Sequence, residues 1–412
     1  MDKQEALNLI TRSDYLTIDD LRYNQKVGVM LSKEEFLEFL TLKDELISEH
    51  NAVMRSLPLK TFNSQYCFFV NGPYINAAFS EYARILIADY QAKHAWFFSR
   101  NIADMTISRL FSEIEGSLSI ENIPTTQRRI EEIHKSNDLK DVNDIIVKNM
   151  LNAVRYILME RPAFNRENLR KLYDLLSHSC LPEEKQLKEG ALYRDGEVFI
   201  DVYEGAKPEI VEECMDSLFA FANDPTNIQK YGILLPYICH YYVLYVHPYF
   251  DYNGRTARMI SFWLSCINDI PAAPLFMSEA INENKGDYYR AITNTRNTNN
   301  DLTYFLGFIL ETSIKYSFVY KNLEEIKMEL TKTGDTLKSS ELGYVKKILV
   351  HNSDNYFNYK LFLDYIHAKM TKQGALKILD VLASYNILQK SKNKRGEAIF
   401  KMNPDFITYK IN

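Results

Sequence analysis

One nearly continuous apolar segment, residues 232–246, constrains the fold of this chain more than any other feature. Apolar residues cover almost the whole circumference of a helix drawn through it, which indicates the central helix of a bundle rather than a surface helix. The segment is too short to span a bilayer, and Pro236 and His240 interrupt it. We therefore expect a buried helix around which other helices pack, and no contact with a membrane.

The composition favours a mainly helical protein. Gly (14) and Pro (12) are scarce among 412 residues, whereas hydrophobic residues make up 46% and charged residues 25%. These values argue against disordered, collagen-like or loop-dominated β structure, and the length predicts two or three domains. The formal net charge of −5 gives no global reason to expect nucleic-acid binding, so such a function would require a local basic patch.

Two features predict a cytoplasmic protein. The cysteines are widely spaced and odd in number, which fits neither a disulfide framework nor a CxxC metal pair. The N-terminus is polar and acidic, without the apolar region of a secretory signal. We expect reduced thiols at all five positions, which are Cys67, Cys180, Cys214, Cys239 and Cys266.

Spacings of three and four between apolar residues predict helices along most of the chain. One clear β signal interrupts them, because an Asp195-Gly196 turn between residues 192–194 and 197–200 predicts a β-hairpin. A polar stretch at residues 331–336 is typical of a linker. The predicted helices cover residues 33–50, 74–120, 141–161, 166–175, 208–222, 232–246, 302–330, 341–351, 359–368 and 372–385.

A polar segment directly follows the apolar helix and leads into a second apolar helix. Its sequence is His247-Pro248-Tyr249-Phe250-Asp251-Tyr252-Asn253-Gly254-Arg255-Thr256-Ala257-Arg258. Asn253-Gly254 opens the second helix, where unpaired backbone N–H groups and the helix dipole attract an anion. Arg255 and Arg258 are three residues apart, so they share a helix face and can grip phosphate oxygens.

Two further residues of this segment complete the chemistry. Asp251 can hold Mg²⁺, which takes one or two carboxylates together with phosphate oxygens. His247, at the end of the apolar helix, is placed to act as a base on an attacking hydroxyl. Together these residues predict a site for the phosphates of a nucleotide.

The segment closely resembles the signature of the Fic family, His-Pro-Phe-x-Asp/Glu-Gly-Asn-Gly/Lys-Arg-x-x-Arg. Two positions differ: Tyr249 replaces Phe, which keeps an aromatic anchor for the loop, and Tyr252 replaces Gly. If the backbone at Tyr252 has positive φ, the substitution costs about 1–2 kcal/mol. The resemblance extends from about Ala78 to Leu310. The matching residues are His247, Pro248, Asp251, Asn253, Gly254, Arg255 and Arg258.

The resemblance implies a mainly α fold, a Fic-type helical bundle with a small β-hairpin flap. We predict an N-terminal helical region at residues 1–64 and a Fic core at 65–330. The core includes an inhibitory helix at about 105–122 and the flap at about 192–205. A winged helix-turn-helix domain is predicted at residues 339–412.

The resemblance also implies an activity, because the family usually transfers AMP from ATP to a protein hydroxyl. His247 would deprotonate a Tyr, Thr or Ser hydroxyl of a target protein, and Asp251 would hold Mg²⁺ against the ATP phosphates. Asn253 and the Gly254 amide would cradle the α-phosphate, with Arg255 toward the β-phosphate. Such reactions depend mainly on alignment and charge stabilisation.

Weaker family positions lie outside the signature. The flap is expected to align an extended target segment by strand addition. Tyr288 and Tyr289 match residues near the adenine, although packing within a helix explains them equally well. Self-modification is a further option because the chain contains 28 tyrosines.

An inhibitory motif of the family, Ser/Thr-x-x-x-Glu-Gly/Asn, is matched by Ser117-Leu118-Ser119-Ile120-Glu121-Asn122. By the resemblance, Glu121 pairs with Arg258 and occupies the group that should bind the γ-phosphate, which implies autoinhibition. Glu115-Gly116 is a rival, but Phe111 stands where its motif requires Ser or Thr. Glu121 is therefore the preferred inhibitory residue.

The C-terminal residues are basic, with twelve Lys+Arg and six Asp+Glu between Glu341 and Asn412. The order of elements, three helices and a hairpin, resembles a winged helix-turn-helix. The same fold serves DNA binding, protein docking and homodimer formation, and the first two are equally favoured here. The residues available for phosphate contacts are Lys372, Gln373 and Lys377 on the third helix, and Lys392, Lys394 and Arg395 on the hairpin.

Two alternatives to a protein adenylyltransferase stay open. One is a DNA-binding regulator whose Fic core is inactive because of Tyr252. The other is a Fic enzyme that moves UMP, GMP, phosphate or phosphocholine, or that removes AMP, since base contacts lie outside the signature.

Overall fold

The architecture is that of a mainly helical protein, seen in a computed structural model of the chain, and its described residues include three small β-hairpins. The structure describes residues 1–49, 53–91, 103–136, 138–200, 203–268, 277–351, 355–366 and 369–407. The mainly α prediction is confirmed. Among the described helices, none is both long and apolar enough to cross a membrane.

The chain divides into two compact units, residues 1–312 and 313–412. The division falls within one long helix, α15. The helices of the first unit, with the start of α15, are α1 Lys3–Ile10, α2 Ile18–Tyr23, α3 Lys33–Ser48, α4 Pro73–Gln91, α5 Ala103–Ile120, α6 Gln127–Ser136, α7 Val142–Glu160, α8 Arg166–Ser177, α9 Pro208–Asn223, α10 Pro225–Tyr231, α11 Leu235–Val246, α12 Asn253–Ile267, α13 Met277–Glu283, α14 Lys285–Asn297 and α15 Thr303–Thr333.

The core of the first unit forms around α11 and α12. Nearly every side chain of α11 is buried, as expected for a helix that is apolar all round. Trp263 of α12 is fully buried and meets the ring of Phe164 edge-on, with 5.1 Å between the centroids. The indole N–H of Trp263 donates to the Pro162 carbonyl, so the buried polar atom of this large side chain is satisfied.

Two antiparallel hairpins lie among the described residues of the first unit. The strands of the first, β1 Met54–Lys60 and β2 Tyr66–Val70, were not predicted from the sequence. An apolar run at 66–70 and a turn at 61–65 were the available signals. The second hairpin pairs β3 Phe199–Ile200 with β4 Tyr203–Glu204.

The predicted position of the second hairpin is wrong. Asp195-Gly196 is not its turn, because the strands lie at 199–200 and 203–204. The physical reason is that Arg194 is held elsewhere: its backbone N–H donates to the Pro248 carbonyl, and its guanidinium donates to the Gly196 carbonyl. Residues 192–196 therefore lie alongside the loop that comes after α11, and they do not pair with residues 197–200.

The predicted long helical stretch at 74–120 corresponds to α4 and α5, and its residues 92–102 lie outside the described part of the chain. The predicted linker at 331–336 begins inside the last turn of α15, which ends at Thr333. A left-handed Gly334 with φ 80° follows that helix, as is common after a helix end.

The part of the second unit that the structure describes contains the end of α15, three further α-helices and one hairpin. Its elements follow the predicted order, and β5 pairs with β6 in register from Leu388 opposite Met402 to Lys392 opposite Ala398. Residues 367–368, predicted as the end of a helix, lie outside the described residues. The elements after α15 are α16 Ser339–His351, α17 Tyr359–Ile366, α18 Lys372–Ser384, β5 Leu388–Lys392 and β6 Ala398–Met402.

Candidate active site

The polar segment 247–258 forms the connection between α11 and α12. His247 ends α11 in the left-handed conformation, with φ 57°, and its N–H donates to the Val243 carbonyl. Tyr252 precedes α12 and is also left-handed, with φ 67°. A non-glycine residue in this region carries strain, so the expected cost at Tyr252 applies.

The loop between the two helices is stabilised by hydrogen bonds and ring packing of its own residues. The Asn253 side-chain amide donates to the Tyr249 carbonyl over 2.8 Å and accepts from the Tyr249 N–H over 3.0 Å. The Tyr249 ring is fully buried and stacks on Tyr173, with centroids 3.8 Å apart. Tyrosine therefore anchors the loop, as expected for this position. The side chain of Asn253 holds the loop, so its amide is already engaged.

The imidazole of His247 is uncharged at neutral pH. Burial is the main reason that its pKa is lowered to about 4. The Leu244 carbonyl and Asp251 have the opposite effect and raise the pKa, but burial outweighs them. Arg296 and Arg194 also lower the pKa of His247 through their positive charge. A neutral imidazole has a lone pair that can accept a proton, which is what a general base requires.

Asp251 lies in the loop as an ionised carboxylate. Lys185 donates to it over 2.6 Å, and the Tyr252 N–H donates over 2.7 Å. Burial raises the pKa of Asp251, but these two hydrogen bonds and Arg255 outweigh burial and hold it below its usual value. Lys185 was not predicted as a site residue, since it is distant in sequence and carries no motif.

Arg255 presents donors that nothing in the described part of the chain accepts. Its guanidinium lies over the Tyr252 ring, 3.4 Å from the centroid. Its Nε and Nη1 atoms are buried and form no hydrogen bond with the described residues. Because buried charged donors without partners are costly, this arrangement suits an anionic ligand.

Arg258, in contrast, is satisfied by the end of α5. Its Nε donates to the Ser117 hydroxyl over 2.9 Å, and its Nη2 donates to Glu121 over 2.8 Å and to the Ser117 carbonyl over 3.1 Å. Burial opposes ionisation of Glu121, but Arg258 and then Arg255 outweigh it and hold the pKa of this carboxyl below its usual range. The ion pair that the motif implied is present in the structure.

The carboxylate of Glu121 lies at the N-terminus of α12. A Cβ added to Gly254 would come within 2.6 Å of Glu121 Oε1. Glycine at this position therefore allows the carboxylate to approach the first turn of the helix, where the dipole and the free N–H groups favour negative charge. Glu121 thus occupies the anion position predicted for a phosphate.

Helix α5 is held against α13 by close packing and a helix cap. A Cβ at Gly116 would lie 2.6 Å from the Glu279 backbone nitrogen, so only glycine permits this approach. Both carboxylate oxygens of Glu113 accept from the Ser278 N–H, at 3.0 and 2.8 Å. Burial raises the pKa of Glu113 to about 7. Neither contact was predicted from the sequence.

The two tyrosines of α14 have different environments. Tyr288 is buried, and its hydroxyl is 2.9 Å from His240 Nε2, while His240 Nδ1 is 2.9 Å from the Ser261 hydroxyl. Tyr289 is 46% exposed beside it. Burial lowers the pKa of His240 to about 3, so this core histidine is neutral. Tyr289 is therefore the ring of the pair that a ligand can reach.

The residues present fit a magnesium ion that arrives with a nucleotide. Within the described residues, no group of three or more His, Cys, Asp or Glu side chains is placed to hold a metal. A single partly exposed carboxylate, Asp251, matches Mg²⁺, which keeps several waters and uses phosphate oxygens for its remaining ligands.

The segment 247–258 thus joins a neutral imidazole, a carboxylate and two guanidiniums to one helix N-terminus. A model of the Fic/DOC family matches residues 163–265, which include β3, β4 and the whole of this segment. The chain therefore contains a Fic/DOC domain at residues 163–265.

Solved Fic structures resemble the chain at low identity. A Fic family protein from Desulfovibrio desulfuricans is 15% identical over 80% of this chain and 96% of its own, with a TM-score of 0.49. Fic-1 (aa134–508) from C. elegans is 16% identical over 77% of this chain and 90% of its own, with a TM-score of 0.47. A Fic domain containing signaling protein from Bacteroides thetaiotaomicron is 15% identical over 64% of this chain and 99% of its own, with a TM-score of 0.44.

Proposed function

We propose that this protein is a protein adenylyltransferase that transfers AMP from ATP to a Tyr, Thr or Ser hydroxyl of a target protein. One observation carries the proposal. In the connection between the buried helices α11 and α12, the uncharged His247 lies at the end of α11, and an anion site lies at the start of α12. A base beside a phosphate site is the arrangement that attack of a hydroxyl on phosphorus requires.

In the proposed reaction, His247 accepts the proton of the target hydroxyl. The hydroxyl oxygen forms a bond to the α-phosphorus, the bond from that phosphorus to the bridging oxygen breaks, and pyrophosphate leaves with the electron pair. The bound triphosphate carries negative charge, which raises the basicity of the imidazole in the complex. Mg²⁺, held by Asp251, would neutralise charge on the phosphates.

Three groups of the chain bind the phosphates in this proposal. The Gly254 N–H at the start of α12 donates to the α-phosphate, and the free donors of Arg255 bind toward the β-phosphate. Arg258 binds the γ-phosphate once Glu121 has moved away. The Asn253 amide supports the loop from within, and Tyr289 offers its exposed ring to the adenine.

The proposal includes autoinhibition by Glu121. The carboxylate takes the place of a phosphate at the N-terminus of α12 and holds Arg258 in a charge-assisted hydrogen bond. A nucleotide must displace it or bind in another pose, because two anions cannot share that position. The inhibition therefore needs no second protein, because Glu121 and Arg258 are part of the same chain.

The flap offers a place for the target segment. Phe199 of β3 is 74% exposed, and β3 and β4 each contribute two residues to their sheet. An extended segment of the target can add to the edge of this hairpin, which brings its hydroxyl toward His247. Both another protein and a flexible part of a second copy meet this requirement.

The donor and the transferred group are tested by mass spectrometry of the Glu121→Gly protein. The protein is incubated with a mixed protein extract and, in turn, with ATP, UTP, GTP or CDP-choline. We expect proteins of the extract, and the enzyme itself if it is a substrate, to gain the mass of AMP with ATP. A gain of UMP, GMP, phosphate or phosphocholine would replace the proposed donor, and no gain with any donor would exclude a transferase.

A second candidate function concerns the C-terminal unit, for which we propose DNA binding. Lys392, Lys394 and Arg395 lie at the exposed tip of the β5–β6 hairpin, and no ion pair with described residues neutralises them. Lys372 and Lys377 are exposed on α18. Such a set of free cations on a hairpin and a helix suits the phosphates of a duplex.

Salt dependence tests this proposal. Changing Lys392, Lys394 and Arg395 together to Gln is expected to reduce the slope of log affinity against log salt by about 2 to 3, since each phosphate contact contributes about 0.9. Fluorescence anisotropy of the full chain with a labelled duplex measures the slope. Lys390→Gln is the matched control, because Lys390 already pairs with Asp380. Absence of duplex binding at low salt would assign this surface to protein contacts.

A further inference from the structure

Arg194 is a buried cation beside the end of α11 that the proposed reaction does not use. Its side chain is 2% exposed, and its guanidinium donates to three carbonyls: His247 over 2.8 Å, Gly196 and Ala206. Burial lowers the pKa of Arg194, and none of the three acceptors is a carboxylate. A guanidinium placed in this way fixes backbone in several directions at once.

Backbone contacts reinforce the same junction. The Arg194 N–H donates to the Pro248 carbonyl, and the Ala206 N–H donates to the Val246 carbonyl, each over 3.0 Å. Gly205 completes the packing, since a Cβ there would lie 3.0 Å from Arg194 Nη2 and 3.2 Å from His247 Cβ. Residues on both sides of the flap hairpin are therefore joined to the two residues that flank the catalytic histidine.

We propose that Arg194 is a positioning residue that holds the His247 backbone and the base of the flap as one rigid unit. His247 has positive φ, so the direction of its imidazole depends on the peptide groups on either side. The Val243 carbonyl fixes the N–H of His247, and Arg194 fixes its carbonyl oxygen. The same guanidinium fixes the flap, so a bound target segment and the base keep a constant relative position.

The charge of Arg194 provides a second effect. Two cations lower the pKa of His247, Arg296 from α14 and Arg194 from the flap, and Asp251 of the loop raises it. Arg296 also donates to the Leu244 and Tyr245 carbonyls at the end of α11. Removal of the Arg194 charge should therefore raise the pKa of His247, and Arg194→Lys, which keeps the charge, should leave that pKa close to its wild-type value.

This inference rests on the proposed function, and its test separates the two. Arg194→Met and Arg194→Lys are made in the Glu121→Gly protein, with Arg170→Met as the matched control. Arg170 donates to the Ala191 carbonyl of the same segment and pairs with Asp174, without contact to His247. Thermal unfolding confirms that the variants fold.

We expect Arg194→Met to lower kcat for transfer about 10- to 100-fold, with ATP affinity changed less than threefold, because small displacements of a reacting group have effects of this size. Arg194→Lys should recover part of the activity, and Arg170→Met should retain it. The NMR titration of the His247 ring, assigned by comparison with His247→Asn, should move to higher pH in Arg194→Met.

An unchanged kcat together with an unchanged His247 titration in Arg194→Met would overturn the positioning role. Failure of the proposed function looks different, because the Glu121→Gly protein itself would then transfer nothing from any nucleotide. In that case the imidazole titration still measures whether Arg194 acts on His247.

Discussion

Replacement of Glu121 by glycine is expected to increase AMP transfer about tenfold to hundredfold. The substitution removes the carboxylate from Arg258 and from the N-terminus of α12, which frees both for phosphate. A hydrogen bond between charged groups contributes about 1.5–3 kcal/mol, and each 1.4 kcal/mol corresponds to about tenfold in an equilibrium. Incorporation of label from α-³²P-ATP, measured as an initial rate, gives the result directly.

Two matched variants show whether charge or helix stability causes the change. Glu121→Gln keeps the length of the side chain and should also increase transfer, whereas Glu115→Gln removes a carboxylate from the interior of the same helix and should leave the rate as it is. Equal or lower activity in both Glu121 variants would contradict autoinhibition. An increase only in Glu115→Gln would assign it to the rival motif.

If Glu121 inhibits the enzyme as proposed, acidity is a poor means of relieving the inhibition. Because Arg258 holds the pKa of Glu121 below its usual value, the ionised carboxylate is fully stabilised above that usual value near 4.5. The stabilisation is lost only as the pH falls through the lowered pKa. The ion pair between Glu121 and Arg258 is therefore intact at neutral pH. The rate of AMP transfer by the wild-type protein should not rise as the pH is varied around neutrality.

The second large effect is expected from His247, whose replacement by alanine should lower transfer by a factor of about 100 to 10,000, the usual contribution of a general base. Nucleotide affinity should change less than threefold, because the phosphate contacts come from α12. The measurement uses the Glu121→Gly protein, in which transfer is largest, and combines labelling with calorimetric titration of ATP.

His247→Asn is the companion variant, since asparagine adopts the left-handed conformation of this position more easily than alanine does. Loss of transfer in both variants, with ATP binding retained, supports the role of a base. Labelling that persists in His247→Asn at the level of the parent Glu121→Gly protein would exclude it, and loss of ATP binding in both variants would indicate that the loop had collapsed.

The grouping of these polar side chains in one connection could be predicted because they lie within twelve consecutive residues. His247, Asp251, Arg255 and Arg258 sit at spacings that a helix end, a loop and a helix start must bring together. The apolar pattern of α11 likewise required a buried helix. Such local patterns predict the structure well, because residues that are close in sequence are also close in the folded protein.

Contacts between distant segments could not be predicted in the same way. Arg194 reaches the carbonyl of His247, 53 positions later, and Lys185 reaches Asp251, 66 positions later. The Asp195-Gly196 turn failed for a related reason, since the tertiary contacts of Arg194 outweighed a strong local preference. Gly116 gave no sign that it meets α13, because its role depends on the closeness of another helix.

Glu121 and Arg258 belong to one polypeptide, and this connection determines what an activator must do. In the proposed function, this tethered carboxylate competes with ATP at an effective concentration in the millimolar range or above, and dilution of the protein leaves that competition unchanged. Raising the nucleotide supply is thus an inefficient way to switch the enzyme on. An activator that draws α5 away from α13 would succeed at far lower abundance, because it removes the competitor itself.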